Sequence, residues 1–385
     1  MTGGKSILEL APGSPPIRDV EDGAPKTREF NTSRYTSPQI LEREKDLIFR
    51  KTWIAIARES DVTRPGDCLP IDELDESLVV VHGEDNVVRT FRNSCRHRGT
   101  RIFSGPCHLR RIECPYHSWT YHLDGRLIGV PKREGFANLD KQTHGLLSVR
   151  TECWGGFVWI TFNPDAPPVR EYLGALAPQL EPYRLTDMRP LYRRTHVLPC
   201  NWKAVLDQAT ESYHIEAVHS HSIGRVIDTV ATFYGLDPHH LQTIPIADYR
   251  WRAWLDRLTV PADLHFEPDQ VRLFHKYVIF PNTLINVMPY HLTVFRVFPI
   301  TPDTCRFHYE FHIRQKANLV DRLRGWLTLM ASLYILREDF GVLLPFQAGA
   351  KAAGNHRIPF HSEEQPLAYF HGVVDRYLEA GTNPN

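Results

Sequence analysis

The chain has 385 residues, 42% of them apolar and 23% charged, with 8 Trp, 15 Tyr and 19 Phe; at roughly 150 residues per domain this predicts two or three domains, and it excludes a peptide, a small module or a long disordered chain. Lysine plus arginine (45) equals aspartate plus glutamate (45), so no overall field draws the protein to nucleic acid or to anionic lipid, and neither is expected as a partner.

Residues 1 to about 34 are rich in Pro, Gly and charge and predict an arm with no fold of its own. They lack the charged start, long apolar run and cleavage site of a secretory signal. The longest nearly unbroken apolar stretch, Trp326 to Leu336, is far short of the roughly 20 residues of a bilayer span, so a cytoplasmic protein is expected. Seven cysteines (68, 95, 107, 114, 153, 200 and 305) are an odd, sparse number that reads as reduced thiols and metal ligands before disulfides.

Ser37-Pro38 is an N-cap followed by an N1 proline, and Ile40, Leu41, Leu47 and Ile48 recur at helical spacing, predicting a helix over 38–51. Leu78–His82, Val87–Phe91 and Gly156–Phe162 are short β-branched or aromatic runs bounded by turn residues, as in antiparallel strands. The Pro- and Asp-rich break at 163–168 is the best domain boundary. Three segments follow: an arm and helix (1–49), a small β domain (50–163) and a larger domain (164–385). Within the last, Trp202 to Val218 reads as a helix, 273–315 holds strand-like runs, and Asn318 to Leu344 reads as a long helix.

The strongest chemical signal is Cys95-Arg96-His97, then sixteen residues, then Cys114-Pro115-Tyr116-His117. Cys-x-His and Cys-x-x-His each bring one thiolate and one imidazole on a short loop, which suits a binuclear iron centre with both thiolates on one iron and both imidazoles on the other. A structural zinc site satisfies the same donors, although zinc fingers usually pair Cys with Cys and His with His. Between Val87 and Ile112 there are seven arginines and no acid, either a solvated face or a basic skin that steers an acidic electron donor.

Cys95-Arg96-His97-Arg98-Gly99, with Cys114-Pro115-Tyr116-His117-Ser118-Trp119-Thr120-Tyr121 and Asp124-Gly125, closely resembles the Rieske domain of the Rieske non-haem iron oxygenases, among them the α subunits of ring-hydroxylating dioxygenases. The resemblance implies an α+β chain: an antiparallel-β domain holding a [2Fe-2S] cluster on Cys95, His97, Cys114 and His117, then a helix-grip catalytic domain, a curled antiparallel sheet around a long C-terminal helix. Cys107 fits no ligand position and is expected as a buried thiol.

The segment from Asn201 to His219 carries Asp207, Glu211, Glu216, His214 and His219. On one continuous helix Asp207, Glu211 and His214 share a face, whereas His219 lies about 140° from His214, so the helix must end or distort before both can bind one ion. Two imidazoles and a carboxylate on one face of an octahedron hold Fe(II) and leave positions for dioxygen and substrate. The resemblance assigns the metal to His214, His219 and Asp339, with Glu338 facing roughly 100° away from Asp339. It also makes Glu211 the bridge that carries the electron from a Rieske histidine of a neighbouring subunit, His117, to His214, and Asp207 an acid that orients a ligand. A head-to-tail ring, most simply a homotrimer, follows, with or without a β subunit. Many ring-hydroxylating dioxygenases have Asp where this chain has Glu211, and oxygenases acting on quaternary amines share the Glu.

The expected activity is that of a terminal oxygenase that hydroxylates an organic, aromatic substrate with dioxygen. Its electrons come from NAD(P)H through a separate reductase and a possible ferredoxin, since the chain has no dinucleotide-binding Gly-rich turn. Oxidative N-demethylation or C–N cleavage of a quaternary amine is the alternative.

Overall fold

The structure is a computed structural model and describes residues 29–225, 231–245 and 273–380; most of the predicted N-terminal arm, residues 1–28, lies outside them. Two compact units form, residues 49–172 on one hand and residues up to 48 together with 173 onward on the other.

In the first unit, seven antiparallel strands pair in the order β2-β11-β10-β5-β4-β3-β6: β2 (Ile54–Arg58), β3 (Asp67–Glu73), β4 (Glu76–His82), β5 (Val88–Arg92), β6 (Cys107–His108), β10 (Ser148–Trp154) and β11 (Phe157–Thr161). A smaller sheet joins β7 (Ile112–Glu113), β8 (Thr120–Tyr121) and β9 (Leu127–Gly129). The β-branched runs read from the sequence are β4, β5 and β11, and β4 and β5 pack one face on a common core. That core holds Val79, Val81, Phe91, Phe103, Ile112, Trp119 and Tyr121, together with Cys95 and Cys114. The Asp124-Gly125 turn needs its glycine twice over: φ is +90°, and a Cβ there would lie 2.5 Å from the Phe91 ring.

The second unit is a seven-stranded antiparallel sheet in the order β12-β18-β17-β16-β15-β14-β13, built from β12 (Met188–Leu198), β13 (Thr232–Leu236), β14 (His239–Pro245), β15 (Leu273–Ile279), β16 (Thr283–Met288), β17 (His291–Thr301) and β18 (Thr304–Arg314). Helices α2 (Val169–Leu173) and α3 (Leu176–Leu180) precede it. A helix of 34 residues, α6 (Leu319–Ala352), is started by a reciprocal cap between Asn318 and Asp321 and runs eight residues beyond the predicted end, through Pro345. Contacts of Tyr309 Oη with Ser332 Oγ (2.9 Å) and of Phe307 with Phe340 set it against one sheet face. α7 (Gln365–Ala380) packs Tyr369 on β13 and β14, and Phe370 on Trp202. The predicted helix over 38–51 is α1 (Pro38–Glu44), with Ser37 Oγ accepting the Ile40 N–H, continued by a wider π turn over Lys45–Phe49. A two-stranded ribbon pairs β1 (Glu29–Asn31) with β19 (Arg357–Pro359).

The interior of this unit contains an ion pair. Lys203 Nζ lies 2.7 Å from Glu44 Oε1 with both side chains fully buried, and Glu44 Oε2 accepts the Trp202 indole N–H at 2.9 Å. Burial pulls the Lys203 pKa down against the pull of Glu44. Glu44→Gln leaves an uncompensated cation and should cost about 3–5 kcal/mol. The Glu44→Leu/Lys203→Met pair should recover most of that, as read from urea midpoints; equal losses in single and double variants would show that the pair is not the source.

Candidate functional site

Each Cys/His loop closes by the same two backbone bonds. Cys95 N–H donates to Thr100 O and Gly99 N–H to Cys95 O; Cys114 N–H donates to Trp119 O and Ser118 N–H to Cys114 O. In both loops the residue four past the cysteine has a positive φ, 72° at Gly99 and 52° at Ser118. Two loops of one geometry thus present one thiol and one imidazole each, and the spacing in the sequence is what makes this possible. His97 and His117 face each other with ring centroids 4.7 Å apart, and His97 stacks on Trp119 at 5.0 Å.

Burial pushes the Cys95 thiol pKa up, against the Tyr121 hydroxyl 3.2 Å away and the His97 N–H, while neighbouring Cys114 adds to the cost of a second thiolate. Tyr121 Oη also accepts the Arg96 N–H at 3.0 Å. A buried Cys95 thiol held by two donors, beside Cys114, whose thiolate would repel it, fits a cationic centre between the two sulfurs. His97 Nδ1 is buried without a hydrogen-bond partner, as a nitrogen reserved for iron would be. Cys107, expected buried, is half-exposed beside Cys68 on paired strands.

Of the seven arginines between Val87 and Ile112, Arg89 pairs with Asp85, Arg92 with Glu76 and Arg101 with Asp72. Arg96, Arg98, Arg110 and Arg111 make no ion pair among the described residues, and Arg98 lies over the exposed Tyr116 ring. The basic stretch is therefore part structural and part open.

The predicted helix from Trp202 to Val218 is two helices. α4 (Trp202–Thr210) is capped by Asn201 and stops at Glu211, whose backbone is extended (φ −103°, ψ 171°); α5 (Ile215–Val218) is one turn, flanked by His214 and His219. The break, at Glu211, comes three residues before the His214–His219 stretch where a distortion was required. The Glu211 carboxylate causes the next turn to start: Oε2 accepts the His214 backbone N–H at 3.1 Å and Oε1 meets His214 Nδ1.

His214, His219 and Asp339 offer one donor each, all within 4.8 Å of one another. His219 Nε2 lies 2.9 Å and His214 Nε2 3.8 Å from the same Asp339 oxygen, Oδ1. Their other nitrogens are occupied, His214 Nδ1 by Glu211 and His219 Nδ1 by Glu338 Oε2 at 2.8 Å. Carboxylate on Nδ1 fixes the tautomer, so both Nε2 lone pairs converge on Asp339. Burial opposes a charge on His219, but Asp339 and Glu338 outweigh it and raise its pKa; the pocket selects positive charge, which a divalent ion supplies. The donor set and its supports therefore fit a mononuclear iron.

Two carboxylates stand differently from the sequence reading. Glu338, expected to face away, orients His219 and also accepts from Ser222 Oγ at 2.6 Å. Asp207, expected to orient a ligand, instead accepts from Tyr35 Oη at 2.6 Å and meets His371 Nε2 at 3.1 Å, because the break at Glu211 turns the ligand segment away from the α4 face. Gln208 Nε2 donates to Asp339 O and Oδ1 at 3.2 and 3.1 Å, a positioning role with no sequence signal beyond its place beside Asp207.

Residues 185–380 match the family model of the ring hydroxylating alpha subunit (catalytic domain), and residues 52–142 that of the Rieske [2Fe-2S] domain. The carnitine monooxygenase oxygenase subunit of Escherichia coli (strain K12) is 29% identical over 361 residues, covering 88% of this chain and 91% of that protein. The crystal structure of a quaternary ammonium Rieske monooxygenase in complex with substrate L-carnitine superposes with a TM-score of 0.76 at 27% identity, covering 90% of this chain and 95% of that one. Naphthalene 1,2-dioxygenase with indole bound in the active site shares the fold, with a TM-score of 0.72 at 18% identity over 92% of this chain and 95% of that one. Both domains of such an oxygenase are present, and with them a Rieske [2Fe-2S] cluster and a mononuclear iron as cofactors.

Glu338→Gln should weaken mononuclear iron binding by about 10–100-fold while leaving the visible and electron-paramagnetic signature of the cluster unchanged. Asp207→Asn should do the reverse of what a ligand-orienting acid would: iron is retained, and stability falls by about 1–3 kcal/mol through the Tyr35–His371 network. Iron analysis beside thermal denaturation separates the two.

Proposed function

We propose that this chain, which belongs to the ring-hydroxylating oxygenase α-subunit family, is the oxygenase component of a Rieske monooxygenase that cleaves a C–N bond or removes a methyl group of a quaternary amine. The carrying observation is the similarity along 88% of the chain to a carnitine monooxygenase oxygenase subunit. The likeness to naphthalene dioxygenase, at 18% identity, speaks for the fold alone, so the aromatic substrate expected from the sequence gives way to the amine.

When bound, the mononuclear Fe(II) supplies dioxygen activation, with electrons from NAD(P)H arriving through a separate reductase and the Rieske cluster. The protein's part is to hold and aim. Cys95, Cys114, His97 and His117 would hold the cluster. His214, His219 and Asp339 would hold the single iron from one side, leaving the other side for dioxygen and substrate. Glu211 and Glu338 keep the imidazoles in one tautomer, and Gln208 keeps Asp339 in place. Oxidation of a C–H bond next to nitrogen gives a carbinolamine, which falls apart into an amine and an aldehyde.

Glu211 is also positioned to pass the electron on: in a head-to-tail ring, most simply a trimer, its carboxylate would connect His214 to His117 of the partner subunit. The exposed Arg98, Arg110 and Arg111, without an ion pair among the described residues, are the surface for an acidic donor. Among the described residues no helix is long and apolar enough to cross a membrane, which agrees with a cytoplasmic enzyme.

A single turnover of reduced, iron-loaded protein with labelled dioxygen and L-carnitine, glycine betaine or an aromatic acid should release a smaller amine and an aldehyde from an amine, with one labelled atom in the product. A labelled aromatic diol would return the assignment to ring hydroxylation. Glu211→Gln should leave the cluster intact, weaken mononuclear iron binding as Glu338→Gln does, and lower the single-turnover yield per bound iron by roughly 10²-fold or more, since each added 1.4 kcal/mol of barrier is tenfold in rate; an unchanged yield per bound iron would remove Glu211 from the electron path.

A further inference from the structure

Of the seven cysteines, Cys95 and Cys114 belong to the cluster loops, and Cys153 is exposed on β10. The other four form two pairs. Cys200 and Cys305 are in hydrogen-bond contact in the fully buried interior of the second unit. Cys68 and Cys107 lie in the cluster-binding unit, and of the seven they alone combine a partner thiol with access to solvent: Cys68 is buried and Cys107 half-exposed.

Strand register sets Cys68 of β3 directly opposite Cys107 of β6. Opposite residues of an antiparallel pair share a face, with Cα atoms about 4.5–5.5 Å apart, inside the roughly 4.4–6.8 Å span of disulfide-bonded cysteines. The neighbouring contacts hold this register: Asp67 Oδ1 lies 2.9 Å from His108 Nδ1, and the Leu109 N–H donates to Gly66 O at 2.9 Å. Gly66 (φ +97°) lets the strands come this close, since a Cβ there would lie 2.4 Å from Leu109 O. The two thiols are in hydrogen-bond contact, and Cys68 Sγ also lies 3.5 Å from Gly66 O. Burial pushes the Cys68 thiol up to about 12; it raises Cys107 as well, but there the Cys68 S–H opposes the shift. Cys107 is therefore the thiol that an oxidant meets first, and Cys68 the one behind it. A filler role in the core explains Cys68, which packs with Val79, Val81 and Cys95, but not a half-exposed thiol set directly against it.

We propose that Cys68 and Cys107 are a redox modification site, which hydrogen peroxide closes to a cross-strand disulfide that staples β6 to β3. The Cys107 sulfur attacks the peroxide and becomes a sulfenic acid, releasing one water; the Cys68 sulfur then displaces that oxygen as a second water. Two thiols thus give up two electrons and two hydrogens, and one hydrogen peroxide takes them. β6 lies between the two cluster loops, and the ring that the bond closes runs from residue 68 to 107, through Cys95 and His97. The staple restrains the segment on which the cluster is held, and it spares the cluster thiols from oxidation. The site is independent of which substrate the oxygenase takes.

The test treats full-length, cluster-loaded Cys153→Ser protein with an equimolar amount of hydrogen peroxide, blocks free thiols with N-ethylmaleimide on denaturation, and maps the peptides by mass spectrometry without reduction. In most chains the Cys68 and Cys107 peptides should be joined, lighter by two hydrogens than the sum of the free ones, and separated again by dithiothreitol. Cys95, Cys114, Cys200 and Cys305 should be recovered as thiols, with the visible spectrum of the cluster retained. Followed by cluster absorbance, the oxidised protein should unfold at a higher urea midpoint than the reduced protein. Cys68→Ser should leave Cys107 as a sulfenic acid that dimedone traps, and Cys107→Ser should leave Cys68 a thiol. If Cys68→Ser does not fold, the cross-link in the protein with both cysteines decides alone. Recovery of Cys68 and Cys107 as free thiols, or a bond from Cys107 to Cys95, to Cys114 or to a second chain, would overturn the site. An unchanged midpoint in the cross-linked protein would overturn the staple.

Discussion

The catalytic unit depends on where one helix stops. α4 ends at Thr210, which frees the ligand segment from the α4 axis, and the chain leaves the one-turn helix at His219 (φ −107°, ψ 22°), so His214 and His219 need not keep the roughly 140° separation of one continuous helix. Two side chains enforce the stop from opposite sides. Lys276 ties the Ala209 carbonyl from the sheet, and Glu211 takes the His214 N–H into its own carboxylate. The one-turn helix Ile215–Val218 then sets its two flanking histidines on Asp339. Glu211 therefore serves the backbone and the imidazole with one group, and its two oxygens are committed to different atoms of the same residue.

How much of this was readable follows from how local each interaction is. The cluster loops were legible because each closes within five residues: the Cys-x-His and Cys-x-x-His spacings and the left-handed position at Gly99 or Ser118 are features of short sequence. The iron ligands came from resemblance, since nothing in the run from Asn201 to His219 announces the break. Reading that run as one helix placed Asp207 with Glu211 and His214, and the structure gives Asp207 to Tyr35 and His371 instead. Glu338 was set aside because neighbours on a helix diverge by about 100°. That divergence is what makes it useful: Asp339 addresses His219 Nε2 and Glu338 addresses Nδ1 of the same ring.

Neighbours across the sheet were illegible for another reason. Gln242, Lys276 and Asn286 lie on three strands, and in the first two other polar residues stand beside them (His239, His240 and Thr243; His275), so nothing within one strand singles them out. Only register brings them side by side, and register is set by pairing across the sheet rather than by any one strand. The overall α+β architecture came with the resemblance, which the strand-like runs and the long helix from Asn318 fitted; the Asn318–Asp321 cap that starts that helix is seen in the structure.

The most direct test of this account is anomalous diffraction at the iron edge from crystals of the iron-loaded protein. The predicted result is a single-iron peak about 2.1 Å from His214 Nε2, His219 Nε2 and an Asp339 oxygen, with Glu211 and Glu338 still on the Nδ1 atoms. Coordination through either Nδ1, or Glu338 in place of Asp339, would contradict the claim that paired carboxylates aim the site.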